Sequence, residues 1–242
     1  MRRLEGAREL LDGPLDDAAT VVGNLRDLRR INRRLGGVAI SAAAVMELAG
    51  DPPRAVSLLD VGTGSADIPL ELVRRLRAQG RAAGAVAVDS RAEIVDLART
   101  LDPRLQHADG VELAVADGRA LPYGDGTFDI VHASLLVHHL EPRDAVALLR
   151  EARRVARRGV VVNDLVRAHH FWWLARALVA LTTRNPITRN DAPLSVRRAY
   201  TRMELRALLA SAGLRPIHEA VAVLGHRVAI AAVPIVDSPP RP

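Results

Sequence analysis

The chain reads as an α/β protein: one doubly wound sheet of seven strands, mostly parallel, ending in an antiparallel hairpin and preceded by an N-terminal helical extension. Three observations point there. From residue 54 on, short continuous apolar runs alternate with amphipathic stretches at helical spacing, the pattern of strands buried on both faces between covering helices. The first run ends in Asp60-Val61-Gly62-Thr63-Gly64, a glycine turn that leads into a helix starting near Ser65. The last two runs are parted by a short turn at Leu224-Gly225, which makes their strands antiparallel neighbours. The architecture is Rossmann-like.

The elements follow in order. Residues 16–35 and 37–49 have helical spacing and are separated by Gly36-Gly37, and Asp51-Pro52-Pro53 breaks the chain before the first strand, 56–61. A helix then runs through Arg77, followed by a strand at 85–89, a helix at 92–100 and a strand at 112–116. A strand at 128–135, a helix at 143–157 and a strand at 160–164 continue the alternation. Residues 165–200 interrupt it, and a helix at 202–212 and strands near 217–223 and 226–233 finish the sheet. The expected division is an extension or lid over 1–53, a domain over 54–236 whose insertion at 165–200 covers the substrate, and a disordered proline-rich tail over 237–242.

Composition narrows the function. The 242 residues can bury one substantial core. No apolar run reaches the roughly 18 residues of a membrane span. Met1-Arg2-Arg3-Leu4-Glu5 has no apolar stretch behind it, so neither a signal peptide nor membrane insertion is expected, and the cytoplasm is the expected compartment. The absence of cysteine removes thiolate catalysis and sulfur-ligated metals, and no metal site is expected. The net charge is +6, yet all 34 basic residues are arginine and they are scattered, which fits a GC-rich genome better than a nucleic-acid surface. Two Trp, two Tyr and two Phe are too few for a base-stacking platform.

The glycine turn suits a nucleotide-like cofactor. A dinucleotide fingerprint would require glycine at position 67, where Asp67 would face a pyrophosphate. An acidic residue two before the first glycine and a small residue two after the second, here Asp60 and Ala66, instead resemble the first motif of class I S-adenosylmethionine (SAM)-dependent methyltransferases. SAM carries an ammonium and a sulfonium and no phosphate, so carboxylates around the turn complement it. Asp89, 25 positions after Gly64 at the end of the second strand, has the spacing of a ribose-binding carboxylate, and Asp89-Ser90 also reads as a helix cap.

The resemblance runs over residues 58–140, through Asp117-Gly118, Leu121-Pro122, Phe128-Asp129-Ile130-Val131 and His138-His139-Leu140, in the order seen in small-molecule methyltransferases related to ubiquinone-biosynthesis enzymes. It departs at Ala66, where glycine is commoner, and at Arg157-Arg158-Gly159, where Pro-Gly-Gly is usual. It implies SAM as cofactor, with Asp60, Gly62, Thr63, Gly64, Asp67, Asp89, Ser90, Asp117, Gly118 and Ser134 around it and Asp117 accepting from the adenine amino group.

Methyl transfer is an in-line displacement, so the protein must position a nucleophile and remove its proton. His138 and His139 follow the fourth strand and Asp164 closes the fifth, 26 positions after His138; both strand ends lie at one edge of a parallel sheet. A His138–Asp164 pair suits a hydroxyl nucleophile, with imidazole taking the proton and carboxylate orienting the ring. The same residues also read structurally, His138 packed under the cofactor and His139 capping the turn before Glu141-Pro142.

Specificity is expected in the insertion. Its Phe171, Trp172 and Trp173 are half of the chain's aromatics and point in different directions on a helix, which suits a lid over an apolar substrate, peripheral membrane contact, or plain packing. Trp172, Trp173, Arg184 and Tyr200 are the substrate-binding candidates, and residues 184–200 read as a polar loop resembling a stretch in methyltransferases of type III polyketide pathways, which modify phenolic products. The expected partner is a small aromatic or lipidic acceptor, taken by a monomer or homodimer, and O-methylation leads over C-methylation of an activated ring. A nucleic-acid amino-methyltransferase would carry an Asn- or Asp-Pro-Pro-aromatic motif where this chain has Ser134-Leu135-Leu136-Val137. A non-catalytic SAM-fold protein is the remaining rival class.

Overall fold

The computed structural model describes residues 1–15, 17–106 and 110–235. Its seven strands are β1 (Val56–Val61), β2 (Ala83–Asp89), β3 (Val111–Val115), β4 (Phe128–Ser134), β5 (Ala156–Leu165), β6 (Leu214–Val221) and β7 (Arg227–Pro234). They form one sheet in the order β3-β2-β1-β4-β5-β7-β6, with β7 antiparallel to both β5 and β6 and the other pairings parallel. This is the seven-stranded mixed sheet expected from the alternation of apolar runs. The proline-rich stretch 237–242, read as a tail, lies outside the described residues.

Helices cover both faces because the central strands are mostly apolar and buried; β4 presents no exposed residue and β7 buries Arg227, Val228, Ala229, Ile230, Ala231 and Ala232. The helices are α1 (Ala18–Arg34), α2 (Gly37–Ala49), α3 (Asp67–Ala78), α4 (Ala92–Leu101), α5 (Pro142–Val155), α6 (His169–Thr182), α7 (Pro186–Arg198) and α8 (Arg202–Ser211). One face of the sheet packs on α2, α3 and α4 and the other on α5 and α8.

Of the stretch 1–53 expected to form an extension or lid, α2 instead lies flat on the sheet. Its sequence is apolar almost all round, so it is stable only when buried. α1 is amphipathic, and its Val21 and Leu25 meet Ile94 of α4 and Ile187 of α7 away from the sheet.

Residues 184–200, read as a loop, mostly form α7. Asn185 caps it by accepting from the Thr188 N–H at 3.1 Å, and Pro186 occupies the first turn, where it costs no hydrogen bond. Pro193 within the helix and the absence of a clear apolar stripe hide it from a periodicity reading. No helix among the described residues is long and apolar enough to cross a membrane.

The strand order reverses between β1 and β4. A crevice opens there at the carboxyl ends of the parallel strands, the place where such sheets hold ligands.

Candidate active site

A cavity of about 500 Å³ fills that crevice, within the size range of small-molecule sites. One wall is the turn after β1. Gly62 and Gly64 have φ of +69° and +55°, a left-handed conformation that glycine adopts without strain. A Cβ on Gly62 would lie 2.8 Å from Leu136, whereas a Cβ on Gly64 would meet nothing within 4 Å. Gly64 thus leaves open the space a ligand needs to approach the backbone. Ala66 is also left-handed, at φ +53°, and an L residue there costs about 1–2 kcal/mol.

Asp89 closes the same wall from the end of β2. Its carboxylate accepts from the Gly64 N–H at 3.1 Å and the Arg91 N–H at 3.2 Å. Burial pushes its pKa above the ordinary aspartate value, and the two N–H donors only partly offset that. Thr63 Oγ1 is buried and has no hydrogen-bond partner among the described residues, so a polar atom of the turn is free for a ligand. Ser90, Ser134 and Asp67 also line the cavity, and Asp67 accepts from Ser65 Oγ at 2.8 Å and Asn32 Nδ2 at 3.3 Å.

Behind this wall lies a buried polar network that the sequence did not reveal. Asp60 Oδ1 is 2.5 Å from His132 Nδ1, and His132 Nε2 is 2.8 Å from Ser41 Oγ of α2. Ser41 Oγ accepts from Asn163 Nδ2 at 2.6 Å, and Asn163 Oδ1 accepts from Arg227 Nε at 2.6 Å. Arg227 donates further to Asn32 Oδ1 at 2.7 Å and Ser134 Oγ at 2.5 Å. Burial pulls its guanidinium down to about 10, and Asp164 and Asp67 only partly counter that. Asp60 therefore points into the protein as well as lining the cavity; it ties β1 to β4, α2, β5 and β7.

The opposite wall carries the histidines. His138 is 2 % exposed; its Nδ1 is 2.6 Å from Asp164 Oδ1, and its backbone N–H donates to Asp164 Oδ2 at 3.0 Å. Burial pushes the Asp164 carboxyl up, but the His138 ring and the N–H donors outweigh it and hold the pKa below the usual range. His139 Nδ1 is 3.0 Å from Asp12 Oδ1. Glu9 sits between the rings, its carboxyl 3.7 Å from each Nε2. Burial raises its pKa to about 7, against the lowering pull of His139 and Arg198. Asp191 of α7 fixes this N-terminal segment by accepting from the N–H groups of Leu10 and Leu11 at 2.8 and 3.0 Å. Neither Glu9 nor Asp12 was found by sequence reading.

The substrate-binding candidates are placed differently. Successive residues on a helix point about 100° apart, so among the three adjacent rings of α6 only Phe171 lines the cavity, together with Leu174, Leu178 and Val179. Trp172 and Trp173 pair on the outside at 4.6 Å between ring centroids, with Arg176 over Trp172. Arg184 is exposed beyond the end of α6. Tyr200 is buried away from the cavity, its hydroxyl donating to the Leu140 carbonyl at 2.7 Å under the Arg3 guanidinium. Of the cofactor candidates, Asp117 is exposed and pairs with Arg119 at 2.9 Å, and Gly118 is packed so closely that a Cβ would lie 2.6 Å from Val61. Neither is in the cavity lining.

Comparison with known proteins bears on what this cavity serves. The methyltransferase-domain family matches residues 58–159. A demethylmenaquinone methyltransferase from Roseiflexus sp. (strain RS-1) is 30% identical over 175 residues, 67% of this chain and 69% of that protein. The chain belongs to the class I SAM-dependent methyltransferases.

Other similar proteins match over a shorter stretch or at lower identity. O-methyltransferase cnsE of Penicillium expansum is 32% identical over 119 residues, 49% of this chain, and the match spans 41% of that protein's length. The fold is that of a SAM-dependent methyltransferase from Aquifex aeolicus, with a TM-score of 0.62 at 18% identity over 87% of this chain and 97% of the other. The first wall fits the methyltransferase cofactor: open space over Gly64, a free Thr63 hydroxyl oxygen and a carboxylate fixed at the end of β2.

Proposed function

We propose that the protein methylates a hydroxyl of a small, largely apolar acceptor, of the phenolic or polyketide natural-product type. The observation that supports this reading is that one cavity holds both the Gly62–Gly64 turn and the His138–Asp164 pair. SAM supplies an electrophilic methyl group on its sulfonium. Gly62, Thr63 and Gly64 receive its amino-acid end, Asp89 and Ser90 its ribose hydroxyls, and Asp117 its adenine amino group, with the Arg119 pair swinging aside. Ser134 shapes the floor, Gly118 lets its turn pack closely on Val61, Asp67 adds negative charge, and Asp60 acts through His132 by holding the ends of β1 and β4 in register.

At the other wall, Asp164 accepts from His138 Nδ1 and so leaves the Nε2 lone pair toward the cavity, where it takes the acceptor's proton as the new O–C bond forms. His139, held by Asp12, closes the wall beside it. The apolar part of the acceptor lies against Leu28 and Ile31 of α1, Leu35 just after it, and Phe171, Leu174 and Leu178 of α6, all lining the cavity. These side chains exclude water, which would otherwise compete as nucleophile.

The test has two stages. Calorimetry is expected to show micromolar SAM binding that Gly64→Arg abolishes; no binding by the wild-type chain sinks the reading. Turnover of a panel of phenols and polyketides with labelled SAM, read by mass spectrometry, is then expected to place the label on oxygen. Label on a ring carbon would replace O-methylation with C-methylation.

A further inference from the structure

Glu9 is 5 % exposed, and its Oε1 has no hydrogen-bond partner among the described residues. A buried carboxylate left so is costly. Arg198 Nη1 lies 3.6 Å from Glu9 Oε1, and the two imidazoles are about as near: His138 Nε2 is 3.7 Å from Glu9 Oε1 and His139 Nε2 is 3.7 Å from Glu9 Oε2. Those separations exceed a hydrogen bond, whose limit is about 3.2 Å. They are near the roughly 3.4 Å that separates two ligands bound tetrahedrally at about 2.1 Å from one ion. One atom from each of the three residues falls within 4.8 Å of the others.

Each ring is also held from behind. The Nδ1 of His138 meets Asp164 at 2.6 Å and the Nδ1 of His139 meets Asp12 at 3.0 Å. Since a carboxylate only accepts, both Nδ1 atoms carry a proton, and in the neutral rings both Nε2 lone pairs face Glu9. Carboxylate–histidine pairs of this kind orient metal-binding imidazoles. The charges around the cluster are Glu9, Asp12, Asp164 and Asp191 against Arg198, whose Nη1 is 3.6 Å from Glu9 and 3.0 Å from Asp12. With neutral rings the balance is negative, as a dication requires.

We propose that Glu9, His138 and His139 bind one divalent transition-metal ion of the zinc class, with an open coordination position toward the cavity for the acceptor's oxygen. Two imidazoles and a carboxylate suit zinc, cobalt(II) or iron(II) and not magnesium or calcium. The inference rests on reading this cavity as the acceptor site. With the ion bound, His138 Nε2 serves as ligand in place of accepting the proton, and the coordinated hydroxyl, made acidic by the ion, loses its proton to solvent. The O–H bond breaks, the O–CH3 bond forms from the oxygen's electron pair, and the pair of the broken S–C bond stays on sulfur. The ion keeps its oxidation state.

The test uses the full chain without an affinity tag, stripped with a chelator, then titrated with Zn²⁺ by calorimetry and with Co²⁺ by visible absorption. One ion per chain is expected, with cobalt bands of a nitrogen–oxygen site. Glu9→Gln, which keeps the side chain's shape, and His139→Ala are each expected to weaken Zn²⁺ binding about 100-fold or more. Both variants are expected to retain SAM binding, which also reports that they fold. Absence of one-to-one binding in the wild-type chain overturns the proposal, as does Glu9→Gln binding Zn²⁺ as tightly as wild type. A wild-type chain that binds Zn²⁺ but not SAM would instead sink the methyltransferase reading of the cavity and leave the metal site standing.

Discussion

Asp164 grips His138 twice, through Oδ1 to the ring Nδ1 at 2.6 Å and through Oδ2 to the backbone N–H at 3.0 Å. The double contact fixes both the position of the residue and the tautomer of its ring. Asp164→Asn would keep the shape while presenting an amide whose N–H can face Nδ1, which turns the proton to Nε2 and removes the lone pair from the cavity. Turnover is expected to fall by about 10²–10⁴-fold with SAM affinity unchanged. Paired single-turnover and calorimetric measurements check it; equal losses in both would make the pair structural.

Gly62 and Gly64 are expected to fail in different ways when replaced by alanine. Both have positive φ, so each variant carries about 1–2 kcal/mol of backbone strain. Gly62→Ala also drives a methyl to 2.8 Å from Leu136, and its main effect is on melting temperature. Gly64→Ala meets no protein atom within 4 Å, so its added loss appears in SAM affinity. Thermal melts beside SAM titrations separate the two; a Gly64→Ala variant with wild-type affinity would show that the cofactor lies elsewhere.

Cofactor affinity should depend on pH through Asp89. Its folded pKa is raised by burial, so keeping Asp89 neutral favours the fold at low pH and that contribution is lost as pH rises through the raised pKa. Ribose hydroxyls need the ionised form as acceptor, so SAM binding has the opposite sign. Affinity is expected to fall on acidification by about tenfold per pH unit once pH is below the raised pKa. In Asp89→Asn, binding is expected to be weak and flat with pH. A wild-type profile as flat as the variant's would remove Asp89 from the cofactor site.

Arg227 is 2 % exposed and serves Asn163, Asn32 and Ser134 at once. Arg227→Met strips donors from three acceptors, two of them buried, and is expected to cost about 3–5 kcal/mol. For a chain of this size that lowers the melting temperature by roughly 6–20 °C. Arg227→Lys is expected to recover only a small part, because one ammonium cannot span three acceptors held by a planar fork. A melting point within a degree or two of wild type would show that the network contributes little to stability.

The sheet was legible because each strand carries its own apolar run, and the terminal hairpin because only a short turn joins its strands. The cofactor turn was legible because Asp60, Gly62 and Gly64 are contiguous. His138 and Asp164 could be paired in advance since both end parallel strands at one edge. What escaped has no local signature. His132 lies inside an apolar strand, and Arg227 is one arginine in a chain that uses arginine for every cation. Glu9 and Asp12 precede the first long helix with no period around them, and contacts from far along the chain, Asp191 and Arg198 among them, bring them to the histidines. The tryptophans drew notice as rare residues, but rarity does not say which side of a helix faces inward.

The segment that delivers Glu9 and Asp12 is held over the histidines by contacts to α7 and to the 138–141 turn, including Leu4 N–H to the Arg197 carbonyl at 3.0 Å and Arg3 to Glu141 at 2.6 Å. It lies outside the 58–159 stretch common to the family. The chemistry proposed at the methyl acceptor therefore draws on two stretches of chain: the family-matched body that carries the histidines, and a short N-terminal strap that completes their surroundings. Replacing the strap would remake the acceptor half of the cavity and leave the Gly62–Gly64 turn as it is.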